Sequence, residues 1–179
     1  MTGFIILDRD GVINQDSLDY IKSVDEFILI PGSVEAIARL TAAGYKIGVA
    51  TNQSGVSRGL YTEEGLGAIN NKMIHEVQSA GGQIDAIEYC IHLPDEGCFC
   101  RKPQPGMLLA LAKRFNTSLK EVSFVGDRVS DIQAAHAAGA NPVMVLSTMT
   151  DLIGLRAYPQ VPVYHSLAEY VDQLLLHKS

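Results

Sequence analysis

Short apolar runs alternate with helical segments along this sequence, and this order constrains the fold more than any other feature. Between the runs, apolar side chains recur at helical spacing. Strands that alternate with helices pair in parallel, because each connecting helix returns the chain to the same end of the sheet. We therefore predict a mostly parallel sheet with helices on both faces. The predicted strands are 4–8 (FIILD), 46–52 (KIGVATN), 85–92 (DAIEYCIH), 122–127 (VSFVGD) and 141–147 (NPVMVLS).

Capping residues and glycines predict where the helices begin and end. Ser33 is expected to cap a first helix that Gly44 ends, and Thr62, followed by two glutamates, begins a second. Further helices are MLLALAKRF after Pro105-Gly106, SDIQAAHAAGA, and the amphipathic SLAEYVDQLLL. The stretch 148–162 is predicted to be irregular.

The length of 179 residues predicts one domain spanning 1–179. The connection 9–31 is long for a strand-to-helix loop, so we expect it to be functional or to carry structure of its own.

Composition excludes several classes of protein. Lys plus Arg is 14 and Asp plus Glu is 20, which gives a net charge of −6 and disfavours nucleic acid and anionic membranes as partners. No apolar run reaches the roughly 18 residues of a membrane span, and the N-terminus lacks the basic region of a secretory signal. All three cysteines lie within residues 90–100, which argues against disulfides and for a reducing compartment. We expect a cytoplasmic monomer.

Acidic side chains follow the predicted strands at the end where active sites of open α/β sheets lie. Asp8 and Asp10 follow the first strand, and Asp127 ends the fourth, with Asp131 four residues on. Carboxylates this close repel one another and need a cation. Aspartate oxygens suit Mg²⁺, which binds through one or two carboxylates and substrate phosphate. This set therefore predicts phosphoryl transfer, in which a carboxylate can attack phosphorus while Lys102 offsets charge on its oxygens.

The cysteines form the pattern C-x-H-x5-C-x-C, which has the ligands of a closed tetrahedral Zn²⁺ site. Such a set leaves no open position for substrate, so we predict a structural zinc that fixes the loop carrying Arg101 and Lys102. The predicted ligands are Cys90, His92, Cys98 and Cys100.

Four motifs together resemble the haloacid dehalogenase superfamily of phosphatases: DRDG (8–11), ATN (50–52), RKP (101–103) and GDRVSD (126–131). The resemblance covers residues 4 to about 147. It implies a three-layer, Rossmann-like fold without a large cap domain, and a Mg²⁺-dependent mechanism through an aspartyl-phosphate.

The resemblance also implies roles for individual residues. Asp8 corresponds to the nucleophile and Asp10 to the general acid and base, while Thr51 and Lys102 bind the phosphoryl group. Asp131 is expected to orient Lys102 or the metal's waters. The implied Mg²⁺ ligands are Asp8, the carbonyl of Asp10, and Asp127.

The zinc loop narrows the resemblance to two groups of phosphatases. One removes the 7-phosphate of D-glycero-D-manno-heptose 1,7-bisphosphate in lipopolysaccharide precursor synthesis, and the other hydrolyses histidinol phosphate. The five-residue gap in the loop is typical of the second group, whereas DRDGVIN (8–14) and TNQSGVSRGLYT (51–62) favour the first. We predict the heptose activity, with histidinol phosphate as the alternative substrate and an inactive phospholigand-binding module as the alternative class.

The remaining candidates are substrate-binding residues. Polar groups of the 9–31 loop are expected to reach sugar hydroxyls, and arginines beside the site suit a second phosphate, which they hold through bidentate contacts. The candidates are Asn14, Asp16, Ser17 and Asp19 in the loop, Asn52, Gln53 and Ser54 after the second strand, and Arg101 and Arg128.

Overall fold

The computed structural model describes residues 3–176, so the ends of the predicted domain 1–179 lie outside the described residues. Within that range, six strands form a single parallel sheet in the order β3-β2-β1-β4-β5-β6. The strands are β1 (Gly3–Leu7), β2 (Tyr45–Asn52), β3 (Ala86–Cys90), β4 (Ser123–Gly126), β5 (Asn141–Val145) and β6 (Val163–Tyr164). The helices are α1 (Ser33–Ala42), α2 (Glu63–Ser79), α3 (Gly106–Arg114), α4 (Val129–Ala138) and α5 (Leu167–Leu176).

Alternating side chains of the strands build a core on each face of the sheet. Ile5 and Leu7 of β1 pack in the core beneath α1, α2 and α5, whereas Ile6 points into the core beneath α3 and α4. The predicted three-layer arrangement is therefore confirmed, and no large cap domain interrupts residues 3–176. None of the helices in this range is long and apolar enough to cross a bilayer.

Some boundaries differ from prediction. Thr62 caps α2 by accepting a hydrogen bond from the backbone N–H of Gly65 at 3.0 Å, as expected. Ser33, however, is the first helical residue and not the cap. Its hydroxyl donates to the Val12 carbonyl at 2.8 Å. A short 3₁₀ turn, Gly154–Ala157, and the two-residue β6 were not predicted.

The 9–31 connection has structure of its own, as expected. It contains the 3₁₀ turn Val24–Glu26 and bridges Asn14 to both Asp10 and Leu29. Its apolar side chains Val12, Ile13, Ile21 and Phe27 are buried in the α1–α2 core. We call this connection the flap.

The strand register brings the functional ends of the strands together. Leu7 of β1 lies opposite Val49 of β2 and Val125 of β4. The carboxyl ends of these three strands therefore lie at the same end of the sheet. Asn52 at the end of β2 lies opposite Cys90 at the end of β3. The sequence motifs that follow these strands and the cysteine cluster therefore meet at one end of the sheet.

Candidate active site

Lys102 is the buried cation at the centre of the site. Its Nζ lies 3.0 Å from Asp8 Oδ2 and 2.7 Å from Asp131 Oδ1, and it donates to the Ala50 carbonyl at 3.1 Å. The side chains of Lys102, Asp8 and Asp131 are all almost fully buried. Lys102 is thus held beside Asp8 at the position where a phosphoryl group would meet that carboxylate.

Burial and neighbouring charges shift the pKa values of this group. Burial, followed by the charge of Asp131, raises the pKa of Asp8 well above its ordinary value, and Lys102 only partly opposes this shift. Burial would lower the pKa of Lys102, but Asp131 and Asp8 more than compensate and raise it. Lys102 therefore stays charged and can attract a phosphate dianion.

Asp10 is held by hydrogen bonds at both carboxylate oxygens. Its Oδ1 accepts from Arg9 Nε at 2.8 Å and from Asn14 Nδ2 at 3.0 Å, and its Oδ2 accepts from Gln53 Nε2 at 3.1 Å. Burial opposes ionisation, but the charge and hydrogen bond of Arg9, with those of Asn14 and Gln53, lower the pKa of Asp10. Because Oδ1 has two donors and Oδ2 only one, Oδ2 keeps a lone pair for proton exchange.

Asp127 has the features of a cation ligand. Its Oδ2 accepts from the Ser147 hydroxyl at 2.6 Å, but its fully buried Oδ1 has no hydrogen-bond partner among the described residues. Burial, together with the charge of Asp131, raises the pKa of Asp127 to about 7. Oxygens of Asp8, Asp127 and Asp131 lie within 4.8 Å of one another. An oxygen-binding cation such as Mg²⁺ fits this arrangement, because it would partner the orphaned oxygen and offset the repulsion.

Gly11 makes room for Asp127. Its φ is +87°, and a Cβ at this position would lie 2.0 Å from Asp127 Oδ2. The glycine of the DRDG motif is therefore required both by the backbone conformation and by the close approach of the carboxylate.

Asp131 uses both of its oxygens within the protein. Besides the ion pair with Lys102, its Oδ2 accepts from the backbone N–H groups of Asp127 and Arg128, each at 3.1 Å. This geometry supports the predicted role of orienting Lys102.

The residues that follow β2 support the catalytic groups. Asn52 accepts from the Lys102 backbone N–H at 3.0 Å and donates to the Lys102 carbonyl at 3.2 Å. Gln53 Nε2 donates to Thr51 Oγ1 at 2.9 Å as well as to Asp10, and its Oε1 accepts from the Tyr61 hydroxyl at 2.6 Å. The central cavity is lined by all four residues of this segment, Thr51, Asn52, Gln53 and Ser54. The side chain of Asn52, however, is hydrogen-bonded to Lys102, and that of Gln53 to Asp10.

The central cavity has a volume of about 450 Å³ and lies between the flap and the ends of the strands. Most predicted site residues line it, and Asp127 lies buried behind its wall. Asp19 does not line the cavity, because its side chain faces outward from the flap. Asn14 is fully buried and donates to Asp10, so the expectation that it reaches sugar hydroxyls is wrong. The predicted residues in the wall are Asp8, Asp10, Asp16, Ser17, Thr51, Asn52, Gln53, Ser54, Arg101, Lys102, Arg128 and Asp131.

Three arginines line the cavity, and their side chains differ in what they contact. Arg128 is paired with Asp16 of the flap at 2.7 Å, which joins two residues that were each expected to contact substrate. Arg101 donates from NH1 to the His92 carbonyl at 3.2 Å. Arg58, which the sequence reasoning missed, lies exposed over the Tyr20 ring, 5.9 Å from its centroid. Its position four residues after the TNQS segment (51–54) was the available signal.

The four predicted zinc ligands are brought together. His92 Nδ1 lies 3.4 Å from Cys90 Sγ and 3.2 Å from Cys100 Sγ, and Cys90 Sγ lies 3.7 Å from Cys98 Sγ. Ligand atoms on a tetrahedral zinc with bonds of about 2.3 Å are separated by roughly 3.8 Å, so a zinc ion fits. Burial alone would raise the pKa of Cys98, but hydrogen bonds from the Arg101 backbone N–H and from the neighbouring thiols and imidazole outweigh it and lower this pKa to about 7. This cluster therefore directly contacts the segment that carries Arg101 and Lys102.

Comparison with known proteins gives a consistent result. The haloacid dehalogenase-like hydrolase family matches residues 4–139. A D-glycero-beta-D-manno-heptose-1,7-bisphosphate 7-phosphatase from Pseudomonas putida is 53% identical over 172 residues, 96% of this chain and 98% of that protein. The equivalent protein of Bordetella bronchiseptica is 52% identical over 141 residues, 79% of each chain.

Solved structures agree with these sequence relatives. The crystal structure of a D,D-heptose 1,7-bisphosphate phosphatase from B. bronchiseptica, complexed with magnesium and phosphate, has a TM-score of 0.90 and 45% identity, covering 98% of this chain and 99% of that one. The corresponding phosphatase of Burkholderia thailandensis has a TM-score of 0.74 and 36% identity, with coverage of 97% and 99%.

Proposed function

Since this chain belongs to the haloacid dehalogenase-like hydrolase family, we propose that it removes the 7-phosphate of D-glycero-β-D-manno-heptose 1,7-bisphosphate through an aspartyl-phosphate on Asp8. It is a phosphatase, as its relatives are. The observation that carries the proposal is the buried Asp8–Lys102 pair, 3.0 Å apart, with Asp10 beside it. The choice of sugar and of the β anomer is supported by relatives of about 50% identity that carry this name.

The first chemical step makes the covalent intermediate. A carboxylate oxygen of Asp8 forms a bond to phosphorus as the bond from phosphorus to the sugar oxygen breaks. Lys102 offsets the charge of the transferring phosphoryl group, and the Thr51 hydroxyl donates a hydrogen bond to that group. Asp10 gives a proton from Oδ2 to the departing sugar oxygen. The incoming phosphate dianion opposes ionisation of Asp10 and so favours this protonated form.

The second step reverses the role of Asp10. As a carboxylate it takes a proton from water at Oδ2 while the water oxygen attacks phosphorus. The bond between phosphorus and Asp8 breaks, which releases inorganic phosphate and restores the nucleophile.

Mg²⁺ would be held by Asp8, Asp127 and the backbone carbonyl of Asp10. When bound, it supplies positive charge that lets the Asp8 carboxylate and a phosphate approach each other. The solved relative that contains magnesium and phosphate supports this assignment.

The cavity wall supports a substrate with two phosphates. Arg101 and Arg58 both line the cavity, and neither is paired with a carboxylate among the described residues. A guanidinium suits a remote phosphate because it offers a planar pair of donors. Arg128 differs from both, because its NH2 is already paired with Asp16. We place the 1-phosphate against Arg101.

Steady-state kinetics on a panel of phosphate esters tests this function. We expect kcat/KM for the β-heptose bisphosphate to exceed that for the α anomer and for histidinol phosphate by at least about tenfold, which is a difference of about 1.4 kcal/mol. Arg101→Ala should lower kcat/KM more for the bisphosphate than for p-nitrophenyl phosphate, which has no second phosphate. A preference for histidinol phosphate would overturn the assignment.

We also propose that the protein is a single-domain monomer. It would be located in the cytoplasm and act in lipopolysaccharide precursor synthesis. Within residues 3–176, a single sheet carries both hydrophobic cores, which supports the single domain.

A further inference from the structure

Arg9 is a fully buried arginine that lies between the two aspartates of the DRDG motif. Its backbone N–H donates to Asp8 Oδ1 at 2.7 Å, and its side-chain Nε donates to Asp10 Oδ1 at 2.8 Å. Its NH1 donates to Asn70 Oδ1 of α2 at 3.0 Å. The guanidinium therefore connects the acid–base carboxylate to a helix 61 residues away in sequence.

Stability alone does not explain a buried arginine at this position. Its third guanidinium nitrogen, NH2, is buried and has no hydrogen-bond partner among the described residues. Burying a charge costs free energy unless all its donors are satisfied, and apolar replacements of buried ion pairs are often neutral or stabilising. The role of Arg9 therefore depends on the two residues that its side chain holds, Asp10 through Nε and Asn70 through NH1.

Asn70 is a buried polar residue on the apolar face of α2. Its neighbours on that face, Ile69, Met73 and Val77, are fully buried in the core, so the helix cannot rotate or slide freely. Asn70 Oδ1 is consequently a fixed acceptor. It sets the plane of the guanidinium, because the two donating nitrogens of Arg9 must point to two separate fixed oxygens.

The flap also contacts the guanidinium of Arg9, through Phe27. The Phe27 ring lies 5.9 Å from the guanidinium carbon, and Lys72 of α2 donates to the Phe27 carbonyl at 3.1 Å. The guanidinium is thus confined by an aromatic ring as well as by its hydrogen bonds.

We propose that Arg9 and Asn70 are positioning residues, which together hold Asp10 Oδ1 so that Oδ2 faces the leaving oxygen of the substrate. This inference rests on the proposed acid–base role of Asp10. Lysine at position 9 keeps the charge, but its flexible ammonium lacks the planar fork by which Nε and NH1 hold Asp10 and Asn70 in one fixed geometry.

The test compares two leaving groups within each variant. A sugar oxygen must be protonated as it departs, whereas p-nitrophenolate leaves without a proton. The value of kcat/KM reports the steps up to departure of the leaving group, and the ratio between the two substrates is independent of how much of the sample is folded. The substrates are the heptose bisphosphate, or mannose 6-phosphate if the wild type rejects the heptose, and p-nitrophenyl phosphate.

The variants are Arg9→Lys and Asn70→Leu, which keeps the branched shape of the asparagine side chain but removes its acceptor. Asn71→Leu places the same substitution on the exposed side of α2 and serves as the control. Asp10→Asn is the benchmark for complete loss of the acid.

We expect Arg9→Lys and Asn70→Leu to lose about tenfold or more in kcat/KM on the sugar phosphate relative to p-nitrophenyl phosphate, with Asn71→Leu unchanged. Equal losses on both substrates, or no loss, would overturn the positioning role. If Asp10→Asn itself shows no selective loss on the sugar phosphate, the acid role in the proposed function fails instead.

Discussion

At the level of the single residue, the proposed function depends on Asp8 as the nucleophile. Asp8→Asn removes the nucleophile but keeps the shape of the side chain, so we expect activity to fall by at least about 10³-fold. Circular dichroism should show the wild-type fold. Burial raises the pKa of the native Asp8, so the neutral amide is compatible with its surroundings.

Asp19→Asn is the matched control for this substitution. Asp19 lies on the flap but faces outward from the cavity. It should keep kcat/KM within about twofold of the wild type, since exposed substitutions of this kind rarely matter. Turnover of Asp8→Asn within tenfold of the wild type would contradict its role as nucleophile.

At the level of the element, the zinc loop 90–100 is expected to hold the segment that carries Arg101 and Lys102. Purified protein should contain about one zinc per chain, and Cys98→Ser should lower both the zinc content and the melting temperature. Activity should fall because Lys102 loses its fixed position. Elemental analysis and thermal unfolding measure these effects.

Ser57→Ala is a suitable control for the zinc loop, because Ser57 is exposed and lies outside the cysteine cluster. Full activity in zinc-free protein that had kept its melting temperature would show that the loop does not support the site.

The elements were predictable from sequence where they were long and regular. The five predicted strands and the parallel sheet follow from short segments rich in apolar residues that alternate with helical segments, and the structure contains each of these strands. Strand β6 has only two residues, Val163 and Tyr164, which is too short for any periodic pattern. Its pairing with β5 depends on tertiary structure and not on local sequence.

The candidate site was predictable to the level of its charged groups. Asp8 and Asp10 follow β1 and Asp131 lies in the first turn of α4, and parallel strands bring such ends together. Lys102 was predictable from its RKP motif, which follows the zinc loop. The sequence does not show which side chains are consumed by internal hydrogen bonds. The amide of Asn14 is used by Asp10, and that contact depends on how the flap folds back.

At the level of the whole molecule, the buried carboxylates oppose folding when no cation is bound. The folded pKa of Asp127 is about 7, above its ordinary value of 3.8. A group with a raised folded pKa binds more protons in the native state, so the stability it contributes is lost as pH rises from about 4 to 7. Metal-free protein should therefore become less stable across this range.

Asp127→Asn isolates this effect because the amide does not titrate. Its free energy of unfolding, measured by urea titration in chelator at several pH values, should fall less steeply with pH than that of the wild type. At pH 8 the variant should be the more stable of the two and yet inactive. Parallel pH profiles for the two proteins would show that Asp127 is not protonated in the metal-free state.

Phosphorus NMR of the reaction on D-glycero-β-D-manno-heptose 1,7-bisphosphate tests the central claim most directly, because it shows which phosphate leaves. With magnesium present, we expect the C7 phosphate signal to be replaced by inorganic phosphate while the C1 phosphate signal remains. Asp8→Asn should leave both signals in place. Loss of the C1 phosphate first, loss of both at equal rates, or no turnover of this sugar by the wild type would contradict the proposed function.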